Sequence, residues 1–216
     1  MNPKLALKRY GKLTIIRELN SAEYEEYKKA KSHLDDLDKN QELFQELGVR
    51  KIITLSPHSY NAFKKYYPSY LEIFHYTQIL ADLLRKSKIH MSQDINTRVT
   101  YHDPCFLGRH NNEYEAPRQI LEAIPGIELL EMERNRENAF CCGGGGGNFQ
   151  TDFYGGGESS PARLRVREAS ETGADILAVA CPICAVMLSD ALKSEELEDK
   201  LMVKDISEIV RDSLFY

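Results

Sequence analysis

Apolar residues recur every three or four positions across Ser21–Gly48, at Tyr24, Tyr27, Leu34, Leu37, Leu43, Phe44 and Leu47, within an otherwise charged segment. This period predicts one or two amphipathic helices, and Gly48 suits the residue that closes a helix. Beyond it the pattern shortens. Val49–Leu55 is a β-prone run, Ser56-Pro57-His58-Ser59 breaks it, and Tyr60–Tyr66 opens a helix. Thr77–Lys86 predicts another helix from Ile79, Leu80, Leu83 and Leu84. Arg98–Tyr101 predicts a strand running into His102-Asp103-Pro104-Cys105. Pro117–Ile124 predicts a helix with proline in its first turn, Ile127–Glu131 a strand, and Ala162–Thr172 a helix capped by Gly173. Ile176–Ala180 is a fully apolar strand that feeds Cys181-Pro182-Ile183-Cys184 and a helix carrying Met187, Leu188 and Leu192. Leu201–Lys204 and Ile206–Leu214 predict a last strand and helix. Strands alternating with helices predict an α/β fold with mostly parallel sheets.

Two of these strand, turn and helix units match. Gly48 stands as far ahead of Ser56-Pro57-His58-Ser59 as Gly173 stands ahead of Cys181-Pro182-Ile183-Cys184. The match predicts a duplicated unit. In the first copy both cysteine positions are serine, a poor iron ligand, and the counterpart of Cys105 would fall before Met1. The expected organisation is a truncated, ligand-free domain with N-terminal helices over 1–95, followed by a site-bearing domain over 96–216.

Composition narrows the class. With 42% hydrophobic and 28% charged residues over 216 positions, the chain is ordinary globular protein, long enough for one domain or two small ones. Its 28 Lys and Arg against 33 Asp and Glu give a net charge of -5, so no overall basic field gathers nucleic acid or an anionic membrane. The longest apolar run, Ile176–Leu188, is shorter than a bilayer span and is broken by Pro182, and the N-terminus lacks the apolar core of a secretory signal. The expectation is a cytoplasmic protein with reduced thiols and no direct membrane span, associated with a membrane at most through a partner.

The chemistry rests on five cysteines, all late in the chain: Cys105, Cys141, Cys142, Cys181 and Cys184. An odd number in a reducing compartment argues for metal, cluster or redox chemistry over a disulfide framework. Cys181 and Cys184 straddle a strand-to-helix turn, where two side chains converge and helix N–H groups stabilise negative sulfur. Neighbouring Cys141 and Cys142 would point to opposite faces of an extended chain, a poor grip on one small ion and a better one on a wide, bridged cluster. Gly143–Gly147 let the backbone approach closely, so that the amides of Gly143 and Gly144 are candidates to donate to cluster sulfur. Cys105 falls at a predicted strand end, the rim of a parallel sheet where sites gather.

The series Cys105, Cys141-Cys142-Gly143 and Cys181-Pro182-Ile183-Cys184 resembles the cysteine-rich CCG domain of the heterodisulfide reductase catalytic subunit and of glycolate oxidase-type iron-sulfur subunits. Val99–Arg109, Arg134-Asn135-Arg136 and Phe140-Cys141-Cys142-Gly143 agree with it, and the likeness runs from about Gly48 to Val210. It implies one noncubane [4Fe-4S] cluster held by all five cysteines in an iron-sulfur subunit of an oxidoreductase complex, for electron transfer and thiol or disulfide reduction. It further implies a flavoprotein or ferredoxin-type electron-transfer partner, and the half-missing first repeat suggests another polypeptide that completes the first domain.

Other readings stay open. Zinc needs four of the five cysteines, leaving a zinc- or thiol-based structural and interaction subunit, and a dithiol pair at Cys181 and Cys184 leaves the other three unexplained. The glycine run lacks the Gly-Lys-Ser/Thr ending of a phosphate loop. His102 and Asp103 are expected to orient or tune the metal centre or to move a proton. His58 is expected to stabilise its turn, with a surviving pocket as the alternative. Arg109, Arg134 and Arg136 are candidates to offset cluster charge or to bind an anionic substrate. His33, His75, His90 and His110 carry no ligand spacing.

Overall fold

The computed structural model describes residues 36–145, 148–151 and 157–214. The part of the predicted Ser21–Gly48 helix before residue 36 lies outside the described residues. From there the elements are helix α1 (36–46), strand β1 (Lys51–Thr54), α2 (Pro57–Tyr66), β2 (Glu72–His75), α3 (Tyr76–Arg85), β3 (Thr97–Tyr101), α4 (Glu115–Glu122), β4 (Ile127–Leu129), α5 (Pro161–Glu171), β5 (Ile176–Val179), α6 (Pro182–Ser194), β6 (Met202–Asp205) and α7 (Ile206–Ser213). A 3-10 turn at Arg136–Asn138 and a helical turn at Asn148–Thr151 lie between β4 and α5. Strand β2 and these two turns are not expected from the sequence.

Two compact units divide the chain, one taking in the described residues up to Ile52 with Lys64–Glu72, the other Ile53–Phe63 with Ile73–Tyr216. In the first, Gly48 takes a positive φ of 66°. Its N–H donates to Gln45, while that of Val49 donates to Phe44, the paired bonds that close a helix through a left-handed residue.

The second unit carries the chemistry. Its four-stranded sheet has the order β4-β3-β5-β6, and every pairing is parallel. The fold is α/β, as expected. Strand β5 is buried along its whole length, and its alternation sorts two cores. Ala178 and Ala180 join Val99, Tyr101, Ile120, Leu121 and Ile206 on one face. Leu177, Val179 and Cys181 join Val166, Leu188, Cys142 and Cys184 on the other. The two-residue period of a strand therefore delivers Cys181 to the same face as Cys142 and Cys184. The chain leaves β3 toward β4 on one side and returns to β5 on the other. The carboxyl ends of β3 and β5 thus flank the crevice where strand order reverses, the usual seat of sites in open parallel sheets.

His75 ends β2 and caps α3. Its N–H is accepted by the Gln78 side chain at 3.0 Å, Nδ1 lies 2.7 Å from the Thr77 hydroxyl, and Nε2 lies 3.2 Å from the Leu55 carbonyl. A carbonyl accepts only, so Nε2 carries the proton and Nδ1 accepts from Thr77. Burial lowers the His75 pKa from 6.5 to about 4, keeping the imidazole neutral. As pH falls below 6.5 the unfolded chain takes up a proton that the folded chain refuses, so stability drops until pH reaches about 4. At about 1.4 kcal/mol per unit, the total loss is about 3 kcal/mol. Urea unfolding between pH 7 and 4 is expected to show this slope in the wild type and a shallower one in His75→Gln.

Candidate metal centre

Each cysteine is placed by a different local rule. Cys105 sits in the turn after β3, where the N–H groups of Leu107 and Gly108 both donate to the Pro104 carbonyl. Cys181 is the N-cap of α6 and Cys184 lies in its first turn, with Pro182 at the first helical position, where its missing N–H is no loss. Cys141 and Cys142 lie in irregular chain after the Arg136–Asn138 turn. Cys142, Cys181 and Cys184 are buried, whereas Cys105 and Cys141 are half-buried.

The sulfurs form one chain. The Cys184 thiol donates to Cys142 Sγ at 3.3 Å. Cys142 is hydrogen-bonded to Cys141 and Cys141 to Cys105, while Cys184 is also bonded to Cys181. The two adjacent cysteines therefore turn their sulfurs to the same place. The opposite-faces argument applies to extended chain and fails here because Cys141 and Cys142 are not in a strand. The amide of Gly143 donates to Cys141 Sγ at 3.3 Å, and that of Gly144 donates to Cys142.

Proton sharing follows from this packing. The Cys105 and Cys142 thiols donate to Cys141 and pull its pKa down to about 2, while hydrogen bonding to Cys184 and then His58 brings Cys181 to about 5. The donors move the other way: hydrogen bonding to Cys141, then burial, raises Cys105, and hydrogen bonds to Cys142 and Cys181 raise Cys184. Five touching sulfurs cannot all be thiolates unless strong positive charge sits among them.

His102 lies fully buried against this group. One of its ring nitrogens and the sulfurs of Cys142 and Cys184 lie within 4.8 Å of one another. Its Nδ1 accepts from Arg165 Nε at 3.2 Å, which assigns the ring proton to Nε2, and Nε2 is buried without a partner. Burial and the neighbouring Arg165 guanidinium lower the pKa of His102 to about 3, so it is a neutral donor. A buried N–H beside the cysteine sulfurs with nothing to receive it fits a sulfide-bearing group seated there.

Arg165 is held in turn. Its NH1 donates to the Arg134 carbonyl at 2.7 Å and to Glu168 at 2.8 Å, Glu168 accepts from the Arg134 amide, and the Arg134 guanidinium lies 3.8 Å above the Phe140 ring. Asp103 faces a second arginine. Arg118 clamps its carboxylate with two bonds of 2.8 and 3.0 Å, and the Arg136 amide adds a third at 2.8 Å. Arg109 donates to the Glu137 carbonyl. Arg118 and Arg165, both buried, carry no sequence signal, since a single arginine in an amphipathic helix reads as surface. His58 lies at the site: its imidazole packs on Phe106, next to Cys105, and helps to lower the Cys181 thiol, and Ser56, not His58, caps the turn through a 3.5 Å bond from the Ser59 amide.

The glycine loop is tightly seated. A Cβ on Gly144 would meet Ile183 Cγ2 at 2.5 Å and Met187 Cγ at 2.9 Å, while Gly143 takes a φ of 77°. Gly144→Ala is therefore expected to push the loop off α6, destabilising the protein by about 1–3 kcal/mol in urea unfolding and lowering metal retention. Gly146 and Gly147 lie outside the described residues. A cavity of about 620 Å³ opens on Cys141 and is lined by Gly143, Gly145, Gly157, Glu158 and Ser160. No helix among the described residues is long and apolar enough to cross a membrane.

Residues 99–189, which span all five cysteines, match the family described as the CCG cysteine-rich domain. The chain is 38% identical over 180 residues to the probable iron-sulfur-binding oxidoreductase FadF of Bacillus subtilis, covering 82% of this chain and 25% of FadF. It is 39% identical over 196 residues to one subunit of the dihydromethanophenazine:CoB--CoM heterodisulfide reductase of Methanosarcina barkeri, covering 84% of this chain and 46% of that relative. Identity to the EtfAB:quinone oxidoreductase of Syntrophomonas wolfei is 36% over 187 residues, covering 81% and 25%. The chain thus spans between a quarter and just under half of the length of these relatives.

Proposed function

The chain belongs, through residues 99–189, to the CCG cysteine-rich domain family, and from that premise we propose that it is an iron-sulfur subunit of a heterodisulfide-reductase-like oxidoreductase complex. It holds one [4Fe-4S] cluster of the noncubane type through Cys105, Cys141, Cys142, Cys181 and Cys184. The observation that carries this reading is the unbroken chain of five sulfurs at the carboxyl ends of β3 and β5. Thiolates are the soft donors that suit iron-sulfur clusters, and a cluster is wide enough to engage all five.

Bound there, the cluster supplies one-electron redox chemistry. The protein's part is to bind and tune. Gly143 and Gly144 donate amides to the ligand sulfurs, and His102 presents Nε2–H with its ring held by Arg165. Half-buried Cys141 faces the cavity, which gives a thiol or disulfide substrate, or a partner's surface, a way in. Electrons come from a flavoprotein or ferredoxin-type subunit. On this reading residues 96–216 form the cluster domain, and the first copy of the repeat, with Ser56 and Ser59 at the cysteine positions, holds no cluster of its own.

One observation favours a second reading. His102, Cys142 and Cys184 offer three ligand atoms within 4.8 Å of one another, enough for most of a zinc site once His102 gives up the Nε2 proton that the Arg165 bond assigns there. Iron, zinc and acid-labile sulfide, measured per chain on anaerobically purified protein, separate the two. About four irons with matching sulfide and an EPR signal on oxidation or reduction support the cluster. One tight zinc without sulfide overturns it.

A further inference from the structure

We infer that His58, which stands in the cysteine-free first copy of the repeat, donates an N–H to the Cys181 sulfur and thereby raises the reduction potential of the centre. This rests on the cluster reading above. His58 lies in the first turn of α2, directly after Pro57. Its ring packs on Phe106 at 4.1 Å between centroids, and Phe106 follows Cys105 in the chain. That contact fixes the imidazole beside the Cys105 segment, from where it helps to lower the Cys181 thiol. Its Nδ1 is buried and has no partner.

The division of labour in Ser56-Pro57-His58-Ser59 explains why this histidine can take on the task. The Ser56 side chain receives the Ser59 amide and its carbonyl receives that of Tyr60, so the helix start is satisfied without His58. A hydrogen bond to a ligand sulfur drains negative charge from it, which favours the more reduced and more negative state of the centre. His102 approaches through Cys142 and Cys184, and His58 approaches through Cys181. The two imidazoles therefore act on different sulfurs.

The test uses the full chain, purified anaerobically with ¹⁵N-labelled histidine, with pulsed EPR in the paramagnetic state and a redox titration. Two distinct histidine nitrogen couplings are expected in the wild type. His58→Phe is expected to lose one and to shift the midpoint negative, a tenfold loss of preference for the reduced form being about 59 mV for one electron. His58→Gln, which keeps an N–H, is expected to recover part of the shift. His110→Phe should leave the potential alone, because His110 stacks on Phe106 at 4.5 Å and is exposed. A single coupling in the wild type, or an unchanged potential in His58→Phe, overturns the inference while leaving the cluster in place. Wild-type protein without iron overturns the cluster reading and this inference with it.

Discussion

Cys184→Ala is expected to abolish iron binding, taking the content from about four irons per chain to none, in iron and sulfide analysis after anaerobic reconstitution. Cys184 is the hub of the sulfur chain: its thiol touches both Cys142 and Cys181, and it lies in the group with His102. It is 2% exposed, so water cannot supply a replacement ligand. Cys105→Ala acts at the far end of the chain, where the side chain is half-buried and bonded to Cys141. The paired experiment separates two chemistries. A five-cysteine cluster loses much of its iron in both variants, whereas a zinc site built on His102, Cys142 and Cys184 loses metal in Cys184→Ala and keeps it in Cys105→Ala.

Arg118→Met is expected to cost about 3–5 kcal/mol in urea unfolding, because it strands a buried carboxylate. The Arg118 and Asp103 side chains are 3% and 2% exposed, and two direct bonds join them. Glu131 binds the same guanidinium from its outer side, and the ring of Tyr101 lies 5.2 Å beneath it. Burial works against the charge of Arg118, but the bonds to Asp103 and Glu131 more than offset it and raise its pKa. Asp103 neighbours the turn that carries Cys105, so loss of the clamp also loosens a cysteine segment. The double variant Arg118→Met/Asp103→Asn is expected to recover part of the loss, since the neutral amide no longer buries a charge. A cost below about 1 kcal/mol in the single variant would mean that the pair is solvated like a surface ion pair.

The parts legible in the sequence are those where pattern and residue type agree. Strand β5 can be read because Ile176–Ala180 is apolar throughout, and part of the cysteine rim because Cys105 and Cys181 fall just after predicted strands. Strand β2 escapes notice because it is four residues long and does not alternate: Ile73 and Phe74 are both half-buried, and the innermost position is a histidine. Helix α4 starts at Glu115, two positions ahead of the residue that proline suggests, because the Glu113 carboxylate accepts the Ala116 amide and caps an earlier turn. Arg118 and Arg165 are illegible for a related reason. Asp103 and Glu131 reach Arg118, and His102 reaches Arg165, only when the sheet and its flanking helices are assembled, while Glu168 meets Arg165 one turn on in the same helix. His58 reads as a turn residue because a single sequence does not reveal that α2 brings it to Cys181.

The reversal of strand order between β3 and β5 has a kinetic corollary. Tyr101 pairs with Ala178, so the cysteine segments meet only after a long-range parallel pairing, the slow kind of contact in folding. On the cluster reading, the metal would act as a clasp across separate crossovers and favour the native chain. Loading must therefore follow closure of the sheet, so iron uptake by refolding protein should run no faster than refolding itself, making the metal a reporter of the slow pairing step.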